Sequence, residues 1–366
     1  MSPSTSPICR LHDHGQSPWY DNLRRKVIAD GDLARMRDED CIRGVTSNPT
    51  IFEKAVSAGE EYDDDVADLA RQGASTEDIG WKIVTEDVAA ACEVFRPVFE
   101  ESGDDGFVSL EVDPTLAHDT DGTIAQARQL HERLNLANLM VKIPATAEGV
   151  PAIEAMIAEG RKINVTLIFS LERHAEVIEA YLSGLERLVA GGGDPSQVAS
   201  VASFFVSRVD TEADRRLPEG HPLRGKVAVA NAKLAYQLFL QRFSGERWER
   251  LAAAGARPQR PLWASTSTKN PEYADTLYVD ELVGRDTVNT LAPASIEALR
   301  DHGDPQPDTI ERDLEGARAV IDGLAAGGID YDDLTATLER EGVGAFARSY
   351  QDFLAALDKR KKELLA

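Results

Sequence analysis

The chain reads as an α/β protein, a (β/α)8 TIM barrel with additional helices that include a C-terminal helical extension. Three observations lead there. Short β-rich runs alternate with longer amphipathic segments, which argues for a parallel sheet covered by helices. The runs number eight within about 300 residues, the size of a closed (β/α)8 unit. No GxGxxG follows any run, so the commonest ligand signature of an open doubly wound sheet is missing.

Seven strand runs are clear, at 41–46, 107–112, 139–143, 164–169, 202–209, 261–265 and 287–291. A weaker one lies near the N-terminus, at 8–11 or at Trp19 and Tyr20. Apolar residues at three- and four-residue spacing predict helices over 66–99, 123–134, 149–158, 174–188 and 227–251. The tail, 305–366, has no strand signal and reads as two or three helices, the last over 345–365. Its basic end, Lys359-Arg360-Lys361-Lys362, complements the negative end of a helix dipole and is read as structural. Pro/Gly clusters at 191–195 and 303–307 are loops. One domain over 1–366 is expected, with the barrel over about 8–300 and the helical extension over about 305–366.

Composition narrows the function. Of 366 residues, 63 are acidic and 40 basic, for a net charge of −23. A field of that sign repels nucleic acid and anionic membranes, so neither is an expected partner. An anionic substrate would need a locally basic pocket. No apolar run reaches the ~20 residues that span a bilayer, and residues 1–9 lack a signal peptide's basic segment and apolar core. Cysteines 9, 41 and 92 are odd in number and lack CxxC spacing, so neither a disulfide framework nor a zinc site is expected, and a reducing cytoplasm suits them. A homo-oligomer is compatible with the chain.

Within a (β/α)8 barrel the chemistry sits where strands end. The fourth run, Leu139-Met140-Val141-Lys142-Ile143-Pro144, sets one lysine among apolar, strand-favouring residues. An ammonium ion is costly to strip of water, and a sheltered neutral amine can attack a carbonyl to form a Schiff base. Lysines in strands also serve as solvent-facing edge breakers. Other strand ends carry polar groups as well: Asn48 after the second run, Glu111 in the third, Asn164 and Thr166 in the fifth, Ser203 and Arg208 in the sixth, Ser267 and Lys269 after the seventh. Together they suggest a lined, solvated pocket. Each has a plainer reading. Glu111 could face outward to a helix lysine, Asn48 could start a turn before Pro49, Thr166 is simply a good strand former, Arg208 could pair with Asp210 at the surface, and Asp21 could cap a helix beginning near Asn22.

Gly44-Val45-Thr46-Ser47-Asn48-Pro49-Thr50-Ile51-Phe52-Glu53-Lys54-Ala55 resembles the first signature of the transaldolases. Met140-Val141-Lys142-Ile143-Pro144-Ala145-Thr146-Ala147-Glu148-Gly149, followed by Ile163-Asn164-Val165-Thr166-Leu167-Ile168-Phe169-Ser170, resembles the second. The likeness runs over roughly 16–293 with the strands in order, and the long tail resembles the extended bacterial subgroup. It implies a class I, Schiff-base enzyme of the pentose phosphate pathway. Such an enzyme moves a dihydroxyacetone unit from sedoheptulose 7-phosphate or fructose 6-phosphate to glyceraldehyde 3-phosphate or erythrose 4-phosphate. By position, Lys142 is implied as the Schiff-base lysine and Asp21 as the proton acceptor for the C4 hydroxyl. Glu111 and Thr166 are implied to hold a water, Asn48 and Ser203 to bind substrate hydroxyls, and Arg208, Ser267 and Lys269 to bind phosphate. No metal or organic cofactor is implied. Lys269 stands where shorter members commonly have arginine.

Two other activities compete. Fructose-6-phosphate aldolases share the fold and the lysine but tend to have glutamine and tyrosine where this chain has Glu111 and Phe205. A metal-dependent barrel hydrolase could use His12 and His14, with Lys142 as a bridging ligand, but the fifth, sixth and eighth runs lack its remaining ligands. A non-catalytic phosphosugar-binding barrel would explain Arg208 and Lys269 but leave Lys142 without a purpose.

Overall fold

The computed structural model describes residues 6–365. Eight parallel strands pair in chain order and close on themselves: β1 (Gln16–Asp21), β2 (Gly44–Thr46), β3 (Phe107–Glu111), β4 (Leu139–Pro144), β5 (Ile163–Ile168), β6 (Ser200–Phe205), β7 (Arg260–Ala264) and β8 (Thr287–Leu291). Every strand residue except Asp21 and Arg260 is buried, because helices cover the outside while side chains fill the inside. The first strand is the second of the two candidates: Trp19 and Tyr20 lie in β1, whereas Cys9–Asp13 is a short helix before it. Trp19 lies so close to β2 that a Cβ on Gly44 would sit 2.6 Å from its ring.

Several predicted boundaries move. The 66–99 stretch is two helices, Asp63–Arg71 and Thr76–Ser102, divided at Gly73, whose φ is +84°. The 227–251 stretch breaks at Gly245 into Val227–Arg242 and Gly245–Ala253. The sixth strand ends at Phe205, and a new helix, Ser207–Arg216, takes Arg208 into its first turn. In the tail, Tyr331–Leu365 is a single 35-residue helix running through Gly342 and Gly344, longer than the predicted 345–365. Its buried positions Val343, Phe346, Tyr350, Phe353 and Leu357 recur at helical spacing and form one face. Its basic end does hold structure together: Arg360 pairs with Asp63, and Lys361 donates to the Ala74 carbonyl.

The cysteine expectation is overturned. Cys9 and Cys41 form a disulfide with Cα atoms 5.0 Å apart. The helix before β1 and the turn before β2 meet below the barrel, and sequence spacing does not report that proximity. The bridge closes a loop of 32 residues, for which chain entropy gives about 2–4 kcal/mol of stabilisation. It sits at the N-terminal ends of the strands, opposite the end that carries Lys142 and Asp21. Reduction with dithiothreitol is therefore expected to lower the melting temperature by several degrees while leaving turnover below the transition unchanged; a fall in turnover would contradict that placement.

Candidate active site

The C-terminal end of the barrel opens into a cavity of about 660 Å³ lined by Asp21, Asn48, Lys142, Thr166, Ser203, Arg208, Ser267 and Lys269. Eight of the nine residues to which the resemblance gave a role thus line one space. The ninth, Glu111, is buried immediately behind Lys142, its register partner across β3 and β4.

Lys142 is 6% exposed. Its Nζ donates to the Ser47 carbonyl at 3.3 Å and stands 3.4 Å from Glu111 Oε2. Glu111 Oε2 is near enough to pair electrostatically but has no aligned hydrogen-bond donor. Burial pushes the Glu111 carboxyl above the usual range, and the Lys142 ammonium pulls in the other direction. Thr166 Oγ1 is likewise buried without a partner, two residues beyond Asn164, the register neighbour of Lys142. Buried polar atoms are rarely left unpaired, and two orphans beside one amine are the setting in which a bound water or substrate hydroxyl finds partners.

The plainer readings are settled in turn. Glu111 points inward. Asp21 caps no helix; it ends β1 and accepts from Thr46 Oγ1 at 2.7 Å. Asn48 does begin a helix, Pro49–Ala58, its Oδ1 accepting from Ile51 N at 3.2 Å, and it lines the cavity as well. Arg208 does not pair with Asp210. That carboxylate is buried, accepts from Tyr278 Oη and Ala228 N, and is pushed by burial up to about 6. Ser203 donates to Asn164 Oδ1 at 2.7 Å, and Asn164 donates to Ser109 Oγ at 3.0 Å. Asn164 therefore belongs to a dry polar layer beneath the cavity and holds Ser203 in place. Ser267 Oγ lies 3.1 Å from Ser295 Oγ.

Among the lining residues to which sequence reasoning gave no role are Arg24, Lys54 and Phe346. Arg24 and Lys54 had weak signals, one close to Asp21 and the other inside the Gly44–Ala55 stretch. Phe346 had none, since it arrives from the far end of the chain. Among the described residues, Arg24, Lys54, Arg208 and Lys269 form no ion pair with a carboxylate, although the chain has 63 acidic side chains. Burial lowers the pKa of Arg208; Lys269 is lowered by burial and by the charges of Arg208 and Lys54. A cluster of cations in a recess, paired with no carboxylate and opposed only by the field of Asp21, is suited to receive an anion.

His12 and His14 belong to the helix before β1 and its cap, at the other end of the barrel from Lys142. No group of three or more His, Cys, Asp and Glu could hold a metal ion among the described residues. The hydrolase reading therefore has no ligand set.

The fold and site define a (β/α)8 barrel with an amine-bearing pocket next to an anion site. Residues 18–357 match the Transaldolase/Fructose-6-phosphate aldolase family, and the chain belongs to that family. It is similar to proteins named transaldolase: 52% identical to that of Saccharopolyspora erythraea over 96% of both chains, and 50% identical to that of Acidothermus cellulolyticus over 97% of both. It is also 50% identical to that of Thermobifida fusca over 95% of this chain and 96% of the other.

The four cations generate a direct prediction. Inorganic phosphate, titrated calorimetrically, is expected to bind the free protein with salt-sensitive affinity, and Arg208→Ala to weaken it about 10- to 100-fold, the worth of a charge-assisted hydrogen bond. Unchanged affinity would remove Arg208 from the anion site.

Proposed function

We propose that the protein is a transaldolase: it transfers a dihydroxyacetone unit from a ketose phosphate (sedoheptulose 7-phosphate or fructose 6-phosphate) to glyceraldehyde 3-phosphate or erythrose 4-phosphate. One observation carries this reading. The Lys142 amine is sheltered inside the barrel, beside Glu111 and an unpartnered Thr166 hydroxyl, at a cavity whose rim holds uncompensated cations.

The Lys142 Nζ adds to the ketose C2 carbonyl, giving a carbinolamine. Loss of water then yields a protonated imine. Glu111 and Thr166 hold the water that carries protons in these steps; their orphan oxygens support the assignment. Asp21 accepts the C4 hydroxyl proton as the C3–C4 bond breaks, and the electron pair passes into the imine to form an enamine. The aldose phosphate departs, held until then by Arg208, Ser267 and Lys269. An incoming aldehyde takes its place, C–C bond formation regenerates the imine, and hydrolysis frees the product. Asn48 and Ser203 bind hydroxyls. The imine is the electron sink, so no metal or organic cofactor is invoked. Glu111 and Phe205 favour transfer over the release of free dihydroxyacetone that a fructose-6-phosphate aldolase carries out.

The reading extends to a single domain, with barrel over about 8–300 and extension over about 305–366, and to a cytoplasmic enzyme of the pentose phosphate pathway. Its partners are sugar phosphates and, as a possible homo-oligomer, copies of itself. No helix among the described residues is long and apolar enough to cross a membrane, and a net charge of −23 disfavours nucleic acid. In a reducing compartment the Cys9–Cys41 bridge would be open; it lies at the barrel end remote from the chemistry.

Borohydride added with fructose 6-phosphate is expected to trap a covalent adduct on Lys142, located by peptide mass spectrometry, and erythrose 4-phosphate to be converted to sedoheptulose 7-phosphate. An unmodified Lys142, or dihydroxyacetone released equally fast with and without acceptor, would overturn the reading. Glu111→Gln should lower kcat by about 10²–10⁴-fold, the usual contribution of a positioned proton-transfer group. The ionised carboxylate is lost as pH falls through its pKa, which burial raises. The acid limb of the wild-type kcat profile is therefore expected above the ordinary glutamate range and absent from Glu111→Gln; an identical limb in both would assign it elsewhere.

A further inference from the structure

Phe346 enters the cavity from the C-terminal helix, which is fixed in place at many points. Tyr331 Oη accepts from Leu171 N and donates to Asn231 Oδ1. Arg216 pairs with Asp333, Arg173 with Glu339, and Arg360 with Asp63. Thr50 Oγ1 donates to Ser349 Oγ at 2.7 Å, tying the helix to the one that Asn48 begins. The helix lies close to β5 at Gly342. A Cβ there would meet Leu167 at 3.1 Å and the Phe169 ring at 3.4 Å. Leu167 has a φ of +62° and lies in a bulge between β5 and β6. One turn beyond Gly342, on the same face, stands Phe346.

Its ring is 6% exposed, with the centroid 5.9 Å from Lys142 Nζ and 5.9 Å from Arg208 Cζ. Arg208 also lies over Phe205, at 5.2 Å, and Phe205 packs on Phe169 at 5.1 Å. At the outer edge of cation–π range, such contacts contribute little attraction. The geometry matters more. A carbon bonded to Nζ on the ring side would lie about 4.5 Å from the ring centroid, close to van der Waals contact. No layer of water fits between.

We propose that Phe346 is a positioning residue that roofs the covalent intermediate and sets how often it is transferred rather than hydrolysed. The proposal rests on the assignment of Lys142 as the Schiff-base lysine. The enamine has two exits. In transfer, its nucleophilic carbon attacks the aldehyde carbon of the acceptor, and the aldehyde oxygen takes a proton. In leakage, that carbon takes a proton instead and the enamine becomes an iminium ion. Water adds to C2 and loses a proton, the C2–N bond breaks, and free dihydroxyacetone leaves a free amine. Hydration of C2 also ends transfer, so the event that separates the two exits is protonation of the enamine carbon, and excluding water from that carbon suppresses it.

The test supplies fructose 6-phosphate and erythrose 4-phosphate and reads the ratio of free dihydroxyacetone to sedoheptulose 7-phosphate. Phe346→Ala is expected to raise that ratio about tenfold, and Phe346→Leu, which keeps the bulk, to hold it within about twofold of wild type. If Phe346→Ala does not fold, Phe346→Val reads the same ratio and is expected to raise it. A folded variant in which both products fall in proportion would overturn the proposal, as would an unchanged ratio. Borohydride trapping on the same samples separates the two assignments. An adduct on Lys142 with an unchanged ratio sinks the roof alone, whereas no adduct in the wild type sinks the Schiff-base reading and the roof with it.

Discussion

The site depends on an amine and a carboxylate buried together, Lys142 and Glu111, on adjacent strands of a closed barrel. Burying either alone would be costly, and the pair is tolerable only because each moderates the other. Yet the pairing is incomplete. At 3.4 Å and poorly aligned, Glu111 Oε2 neutralises part of the lysine's charge without occupying all its hydrogen-bonding capacity. A tighter bridge would tie up the Nζ hydrogens and leave the amine less free to meet a ligand. A wider one would leave a buried carboxylate unsupported. The strand register makes Glu111 and Lys142 neighbours across β3 and β4, and burial limits how far their side chains can swing apart.

Beneath this pair the barrel interior is polar but dry. Ser109, Asn164 and Ser203 bond to one another in a chain, whereas the Glu111 and Thr166 oxygens are left without partners, Thr166 at the cavity wall and Glu111 behind Lys142. Satisfied polar groups rigidify; unsatisfied ones invite a ligand. That change from one layer to the next marks where scaffold ends and chemistry starts. It also explains why Ser203 is a better hydroxyl-binding candidate than Asn164, since Asn164 has spent its amide on its two neighbours.

Much of this was readable from the chain, for a physical reason. Strands buried on both faces must be apolar, so a lysine inside 139–144 stands out, and closure in chain order lets sequence position stand for spatial position. What failed depends on contacts that sequence spacing does not encode. Arg208 was read into a strand because Val206 and Val209 continue the apolar pattern, but the chain turns helical after Phe205. Cys9 and Cys41 meet only because the helix before β1 comes up against the segment before β2. The final helix extends well before 345 because it runs on through Gly342, whose missing side chain lets the helix touch Leu167.

Net charge and local charge point in opposite directions here, and the reconciliation is electrostatic. With 63 acidic and 40 basic residues, the surface repels a sugar phosphate at long range. Salt limits that repulsion to about 8 Å at physiological ionic strength. Inside the cavity screening is weaker, and Arg208 and Lys269 act without a competing ion pair, joined at the rim by Lys54 and Arg24. Burial lowers the pKa of both Arg208 and Lys269, and Lys269 is lowered further by its cationic neighbours. Desolvation works against both charges, and on the proposed reading a bound phosphate dianion offsets it. Selectivity follows from the same arrangement. An unphosphorylated sugar meets the same hydroxyl partners and the same lysine, but cannot relieve the cations.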